Sequence, residues 1–318
     1  MSATSRRSEV SPSRERAPSG ASRPPAQGGR HGSLRGKISR LATVLAAAIF
    51  VFALFQLAEY CLDALRTRRQ TAELQQANLL AIQEAAASTV APELSPPAAT
   101  ASPPRDAGTA APTATPIAFK IMSPRFAKLK QQNQDIVAWL TIPDQLDTAV
   151  VQRDNAYYLN RDYQGYHNVN GAIFLDMNCD LTKDPKALVL YGHNMKTGEM
   201  FGNLRKYEEY SYFRTHPTIT CDTQYEEGEF LVFAVLRAST VYGSIRFVNY
   251  TMYSQMTQEQ REETLAALLR LNAFTSPVEV STEDQLLILS TCTGDDHERL
   301  LVCARRARAG ETAAQDQP

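Results

Sequence analysis

The chain has 318 residues, 33 Lys and Arg against 34 Asp and Glu, and a sequence pI near 6.5. A uniformly basic nucleic-acid binder is excluded, because such proteins carry a basic folded face. A mean hydropathy of −0.31 excludes a polytopic membrane protein but leaves room for one span.

The charge is unevenly spread. Residues 1–40 hold eight Arg, one Lys and two Glu among Ser, Pro and Gly, which reads as a disordered basic leader. Residues 41–58 (LATVLAAAIFVFALFQLA) carry no charge, and as a helix they rise about 27 Å, close to the ~30 Å hydrocarbon core. Arg35, Lys37 and Arg40 precede the run, predicting a transmembrane signal anchor with a cytoplasmic N-terminus and an exported remainder. A cleaved secretory signal, using the alanines at 46–48, and a buried core helix are the alternatives. The long leader and long apolar run disfavour the signal.

Residues 59–91 have helical composition without a sustained heptad and read as a stalk helix. Residues 92–118 form a Pro/Ala-rich linker, with seven of the 17 prolines between 92 and 116. Composition suggests a spacer that lifts the following domain away from the membrane. That domain is expected over 119–307, long enough for one packed core, followed by a flexible tail at 308–318.

Within 119–307, eight short runs rich in Val, Ile, Leu and Phe predict strands. They lie at 148–152, 171–176, 187–193, 218–223, 229–238, 277–281, 285–292 and 299–305. Helices are expected at 124–139, about 199–213 and 257–273, with Thr257 as an N-cap. Strands dominate, so the fold class is mainly β, a barrel or sandwich.

Five cysteines, at 61, 179, 221, 292 and 303, are too few and scattered for a disulfide scaffold or a paired-Cys zinc site. An odd count in an exported chain leaves at least one free thiol. Among polar residues that terminate apolar runs, His193 ends ALVLYGH, Cys292 ends LLILSTC and Arg299 opens RLLVCAR. A thiolate nucleophile needs a cationic neighbour. An imidazole can protonate a leaving amine and deprotonate an incoming one. A guanidinium can hold an oxyanion. The three suffice for acyl transfer, although spacing alone does not bring them together. Cys292 also fits a buried small apolar side chain, and His193 fits a turn cap. His297 is a rival base, and Arg305 and Arg306 are rival guanidiniums. Neither a metal-ligand spacing nor a Gly-rich phosphate loop is present, so no cofactor and no metal is expected.

Three blocks resemble the class B sortases, cysteine transpeptidases of Gram-positive bacteria. They are DIVAWLTIPDQLDTAVVQRDNAYYLNRDYQGYHNVNGAIFLD at 135–176, YGHNMKTGEMFGNLRKY at 191–207 and LSTCTGDDHERLLVCARR at 289–306. The resemblance implies a closed eight-stranded sortase-type β-barrel with an N-terminal helical region and a helix before the penultimate strand. It implies that Cys292 attacks a C-terminal sorting signal of NPxTx type on a secreted protein. His193 would serve as the proton carrier and Arg299 as the acyl-oxygen partner. It further implies substrate contacts at Asn155, Leu159, Tyr191 and Ser290, with Thr291 and Tyr250 as additional candidates. The implied amine acceptor is a peptidoglycan precursor of lipid II type. A pilin polymerase using a pilin Lys shares the motifs. A secreted cysteine protease and a non-catalytic surface scaffold are the remaining alternatives. The expected location is the cell membrane, single-pass, with no nucleic-acid partner.

Overall fold

The computed structural model describes residues 32–89 and 120–311. Most of the basic leader, the expected spacer at 92–118 and residues 312–318 of the expected tail lie outside the described residues. Compactness divides the chain into a unit ending at Phe55 and a unit Gln56–Pro318.

One helix, α1 (Gly32–Thr89), covers the apolar run and the expected stalk as far as Thr89. It is long and apolar enough to cross a membrane. Its residues from Gln56 onward belong to the second unit, where Leu74 is fully buried beside Phe126, Leu129, Trp139 and Tyr158.

Among the described residues, eight strands close a barrel. They are β1 (Ile136–Ile142), β2 (Leu146–Val151), β3 (Phe174–Leu175), β4 (Ala187–Tyr191), β5 (Thr218–Thr223), β6 (Glu229–Ser239), β7 (Leu286–Cys292) and β8 (Glu298–Arg306). The order around the barrel is β1-β2-β3-β4-β7-β8-β6-β5. The β2/β3 and β4/β7 pairs are parallel, and the rest are antiparallel. A parallel pair needs a long crossover, and the β4-to-β7 connection carries β5, β6 and the intervening helices.

The apolar runs of β4 and β7 are continuous because both barrel faces are covered. Leu188, Leu190, Leu287 and Leu289 enter the larger core. Ala187, Val189, Leu286 and Ile288 pack outward with Tyr253, Leu265 and Leu268. Those last two leucines lie on α4 (Gln258–Leu271), which starts with a capping box between Thr257 and Gln260 and precedes the penultimate strand.

The structure corrects three expectations about elements. The helix expected over 124–139 stops as α2 (Pro124–Gln132), and Ile136–Ile142 is β1. Asn133 breaks it: its side-chain oxygen accepts from Asp135 N at 2.9 Å, an Asx-type turn that competes with helix continuation. The strand expected at 277–281 is absent, although Val278 and Val280 pack against the outer cluster. There the Glu279 carbonyl accepts from the buried Arg305 side chain at 2.6 Å rather than from a neighbouring strand. The helix expected near 199–213 is a 3-10 turn, Leu204–Glu208, followed by the short α3 (Tyr210–Thr215).

Candidate active site

The site forms where β4, β7 and β8 end together. Parallel pairing sets Tyr191 of β4 beside Ser290 of β7, so Gly192 and His193 run on next to Thr291 and Cys292. Antiparallel pairing of β7 with β8 places Cys292 directly opposite Arg299. Two residues two apart on a strand share a face, which accounts for Ser290 and Cys292.

A cavity of about 290 Å³ gathers these ends, lined by Asn155, Leu159, Phe174, Tyr191, Gly192, His193, Ser290, Thr291, Cys292 and Arg299. Eight of the nine site residues expected from sequence are in that lining. The exception is Tyr250, which is buried and reaches the site through its hydroxyl, 2.9 Å from Ser290 Oγ.

All five cysteines are free. Cys179, Cys221 and Cys303 are buried, and burial pushes their thiols up, that of Cys179 to about 12. A thiol so displaced is a poor nucleophile near neutrality. Cys61 and Cys292 are exposed, and of these Cys292 shares a cavity with an imidazole and a guanidinium.

His193 Nε2 lies 2.7 Å from the Leu159 carbonyl oxygen. A carbonyl only accepts, so Nε2 carries the hydrogen and Nδ1 is left for proton exchange. Gly192 permits the approach of this segment to the barrel. A Cβ there would sit 2.4 Å from Ile173 Cδ1 and 2.8 Å from the Phe201 ring. Thr291 Oγ1 donates to the Gly192 carbonyl at 2.7 Å, and Asn194 Nδ2 donates to the Cys292 carbonyl at 2.8 Å. These two bonds stitch the His193 and Cys292 segments together. Arg299 Nη1 donates to the Asp296 and Glu298 carbonyls, each at 3.0 Å, which braces the guanidinium on its own hairpin. His297 is exposed and outside the cavity lining.

Sequence reasoning missed Asp176, a buried carboxylate just past β3. Its Oδ2 accepts from Tyr191 Oη at 2.8 Å and from Asn155 Nδ2 at 3.0 Å. Its Oδ1 accepts from the backbone and side-chain nitrogens of Asn178. Asn155 Oδ1 accepts from Met177 N at 2.8 Å, so both ends of that amide are fixed. Burial first, then the Asp176 carboxylate, raises the Tyr191 pKa and keeps its hydroxyl a donor. Burial likewise raises the Tyr250 hydroxyl, opposed by its bond to Ser290 and by the Arg299 charge. The missed signal was a carboxylate closing the apolar run GAIFLD, the same cue that drew attention to His193 and Cys292.

Residues 140–307 match the sortase domain family. The chain is 34% identical over 176 residues to sortase B of Listeria monocytogenes, spanning 54% of this chain and 68% of that protein. It is 30% identical over 189 residues to sortase B of Staphylococcus aureus, spanning 57% and 74%. A crystal structure of sortase B from Bacillus anthracis, in complex with AAEK1, superposes with a TM-score of 0.56 at 27% identity. It covers 77% of this chain and 98% of that one.

Proposed function

The chain belongs to the sortase family, class B, and is a cysteine transpeptidase. From that premise we propose that it cleaves an NPxTx-like sorting signal of secreted proteins at Cys292 and transfers the acyl group to a cell-wall precursor amine. In the first half-reaction Cys292 Sγ, as thiolate, attacks the carbonyl carbon of the scissile amide. The C–N bond breaks as His193 gives its proton to the leaving amine, and a thioester remains. In the second, the acceptor amine attacks the thioester, His193 takes the proton it sheds, and the C–S bond breaks to release the thiolate. Arg299 stays cationic throughout and stabilises the developing oxyanion.

The single observation that carries this reading is the register that opposes Cys292 to Arg299 on a cavity shared with His193. Asn155, Leu159, Tyr191, Ser290 and Thr291 would line the donor groove, with Tyr250 supporting Ser290 from beneath. The apolar part of α1 would anchor the enzyme in the cell membrane with the barrel outside. The basic residues ahead of it favour that orientation.

A panel of NPxTx and LPxTG peptides, offered with oligoglycine, diaminopimelate or a Lys-containing pilin peptide, tests the proposal by product mass. An amide with a wall-type amine supports it. Exclusive use of the pilin Lys would replace it with pilin polymerisation, and acid product alone at saturating amine would make the chain a protease.

A further inference from the structure

His193 belongs to one segment and its ring is hydrogen-bonded to a second, and α1 grips both. On one side, the Leu159 carbonyl that accepts from Nε2 belongs to the loop at 157–172. That loop is closed by Asn168 N donating to the Asn160 carbonyl and Ala172 N to the Tyr158 carbonyl, each at 3.0 Å. On the other side, residues 193–201 fold back on themselves. Asn194 bridges Met200, and Phe201 N donates to the His193 carbonyl at 2.9 Å.

Thr67 of α1 reaches the first segment. Its Oγ1 accepts from Asn168 Nδ2 at 3.0 Å and from Asn170 Nδ2 at 2.8 Å, and donates to the Asp63 carbonyl at 2.9 Å. Asn168 and Asn170 are only 2% and 1% exposed, so Thr67 satisfies polar groups that water does not reach. Gln70 Nε2 adds a bond to Asp162 Oδ2 at 2.7 Å, and Asp162 Oδ1 in turn accepts from Gln164 N and Tyr166 N. The next residue after Thr67 reaches the second segment: Arg68 Nε donates to Glu199 Oε1 at 2.6 Å. Apolar seating of the helix is supplied elsewhere, by Leu74 and Ala81. Most of the polar contacts of residues 63–75 therefore fall on the two segments that hold the imidazole.

We propose that residues 63–75 of α1 are a positioning element for His193. Thr67 sets the loop that presents the Leu159 carbonyl, and Arg68 sets the 193–201 turn. The helix that runs on from the apolar segment is thus part of the catalytic scaffold, and a domain cut near Phe119 would lack it. The proposal rests on the reading of His193 as the proton carrier. The physical reason is geometric: displacing such a group by about 1 Å costs on the order of 100-fold in rate, and the Leu159 bond fixes both the ring's orientation and its protonated nitrogen.

The test uses the full chain in detergent micelles, as wild type, Thr67→Val, Thr67→Ser and Arg68→Met. With an NPxTx peptide and a saturating amine, Thr67→Val should lower kcat at least tenfold while KM for the peptide stays within about twofold. Its pH–rate profile should shift on the limb set by the imidazole, and Thr67→Ser should restore both. Arg68→Met, which removes an exposed guanidinium and leaves the mostly buried Glu199 short of a partner, should give a smaller loss of the same kind, with the melting temperature read beside it. The His193 ring is read independently by NMR of histidine-labelled protein, which needs no turnover. Wild type should show the Nε2–H tautomer, and Thr67→Val an altered tautomer balance or titration. Unchanged ring signals and unchanged kcat in both Thr67→Val and Arg68→Met, even with a lower melting temperature, would overturn the proposal. A chain whose ring signals respond to Thr67→Val but that performs no acyl transfer would instead sink the functional reading while the hold of α1 on the His193 ring stands.

Discussion

At the residue scale, Asp176 is the buried hub that joins two residues of the proposed donor groove. One carboxylate oxygen holds both Tyr191 and Asn155. Hydrogen bonds to a charged acceptor contribute about 1.5–3 kcal/mol each, so Asp176→Asn should loosen two lining residues while keeping side-chain volume. The expected outcome is a roughly tenfold or greater rise in KM for the donor peptide, about 1.4 kcal/mol or more, with a smaller change in kcat. Steady-state kinetics check this, and an unchanged KM would show that the hub does not order the groove. Gly192→Ala makes a different prediction. A Cβ 2.4 Å from Ile173 Cδ1 must displace either the core or the His193 segment. Overpacking of this kind costs typically 1–3 kcal/mol, so the melting temperature should fall and kcat should drop together. Cys292, His193 and Arg299, the proposed catalytic set, could be singled out in the sequence because each ends or opens an apolar run inside a family motif, and the structure gathers them at one cavity. Asp176 was hidden because its partners come from positions 155, 178 and 191, a convergence that only the closed barrel creates.

At the scale of elements, strands buried on both faces were the easiest to read. ALVLY and LLILSTC are continuous apolar runs because their alternate residues fill two different clusters. Strand β1 was misread because Phe126, Leu129, Ile136 and Val137 mimic a helical spacing across the Asn133 break. The run PVEVS alternates as a strand should, yet its backbone is claimed by a side chain. That side chain, Arg305, is 1% exposed and also donates from Nη1 to Glu311 Oε2 at 2.6 Å. The described part of the expected tail is therefore tied to the barrel. Breaking this pair leaves a buried guanidinium short of a partner, so Glu311→Gln should cost about 1–3 kcal/mol, less than a fully buried pair because Glu311 is partly exposed. Hydrogen bonds from Arg305 hold the Glu311 carboxyl at about 2, below its ordinary 4.5. A carboxylate depressed on folding adds stability that is whole above 4.5 and is lost as the pH falls through about 2. Denaturation followed from pH 6 to pH 2 should show that component in the wild type and lack it in Glu311→Gln. Identical pH dependence would refute the assignment. Glu199 follows the same sign: burial opposes its charge, but neighbouring donors, the Arg68 guanidinium at 2.6 Å among them, outweigh it and hold its carboxyl below the ordinary value.

At the scale of the whole molecule, the sequence made the long apolar helix, the barrel class and the family visible, since each depends on composition or on local motifs. It did not make visible that residues 56–89 pack into the unit that holds the barrel, because the contacts of Thr67, Gln70 and Leu74 join positions about 50 to 100 residues apart. Membrane association is predicted to reside in the apolar part of α1. The full chain should cosediment with lipid vesicles, and a chain lacking residues 1–55 should remain in the supernatant. Cosedimentation of both would place the membrane contact elsewhere. The central claim is that Cys292 carries the acyl group between donor and amine. Intact-mass spectrometry of the full chain, mixed with an NPxTx peptide in the absence of amine, tests it most directly. The account predicts an adduct equal in mass to the peptide's N-terminal fragment less water, mapped to Cys292, absent in Cys292→Ala and discharged to an amide when amine is added. An adduct that persists in Cys292→Ala, or one on Cys292 that amine fails to discharge, would contradict it.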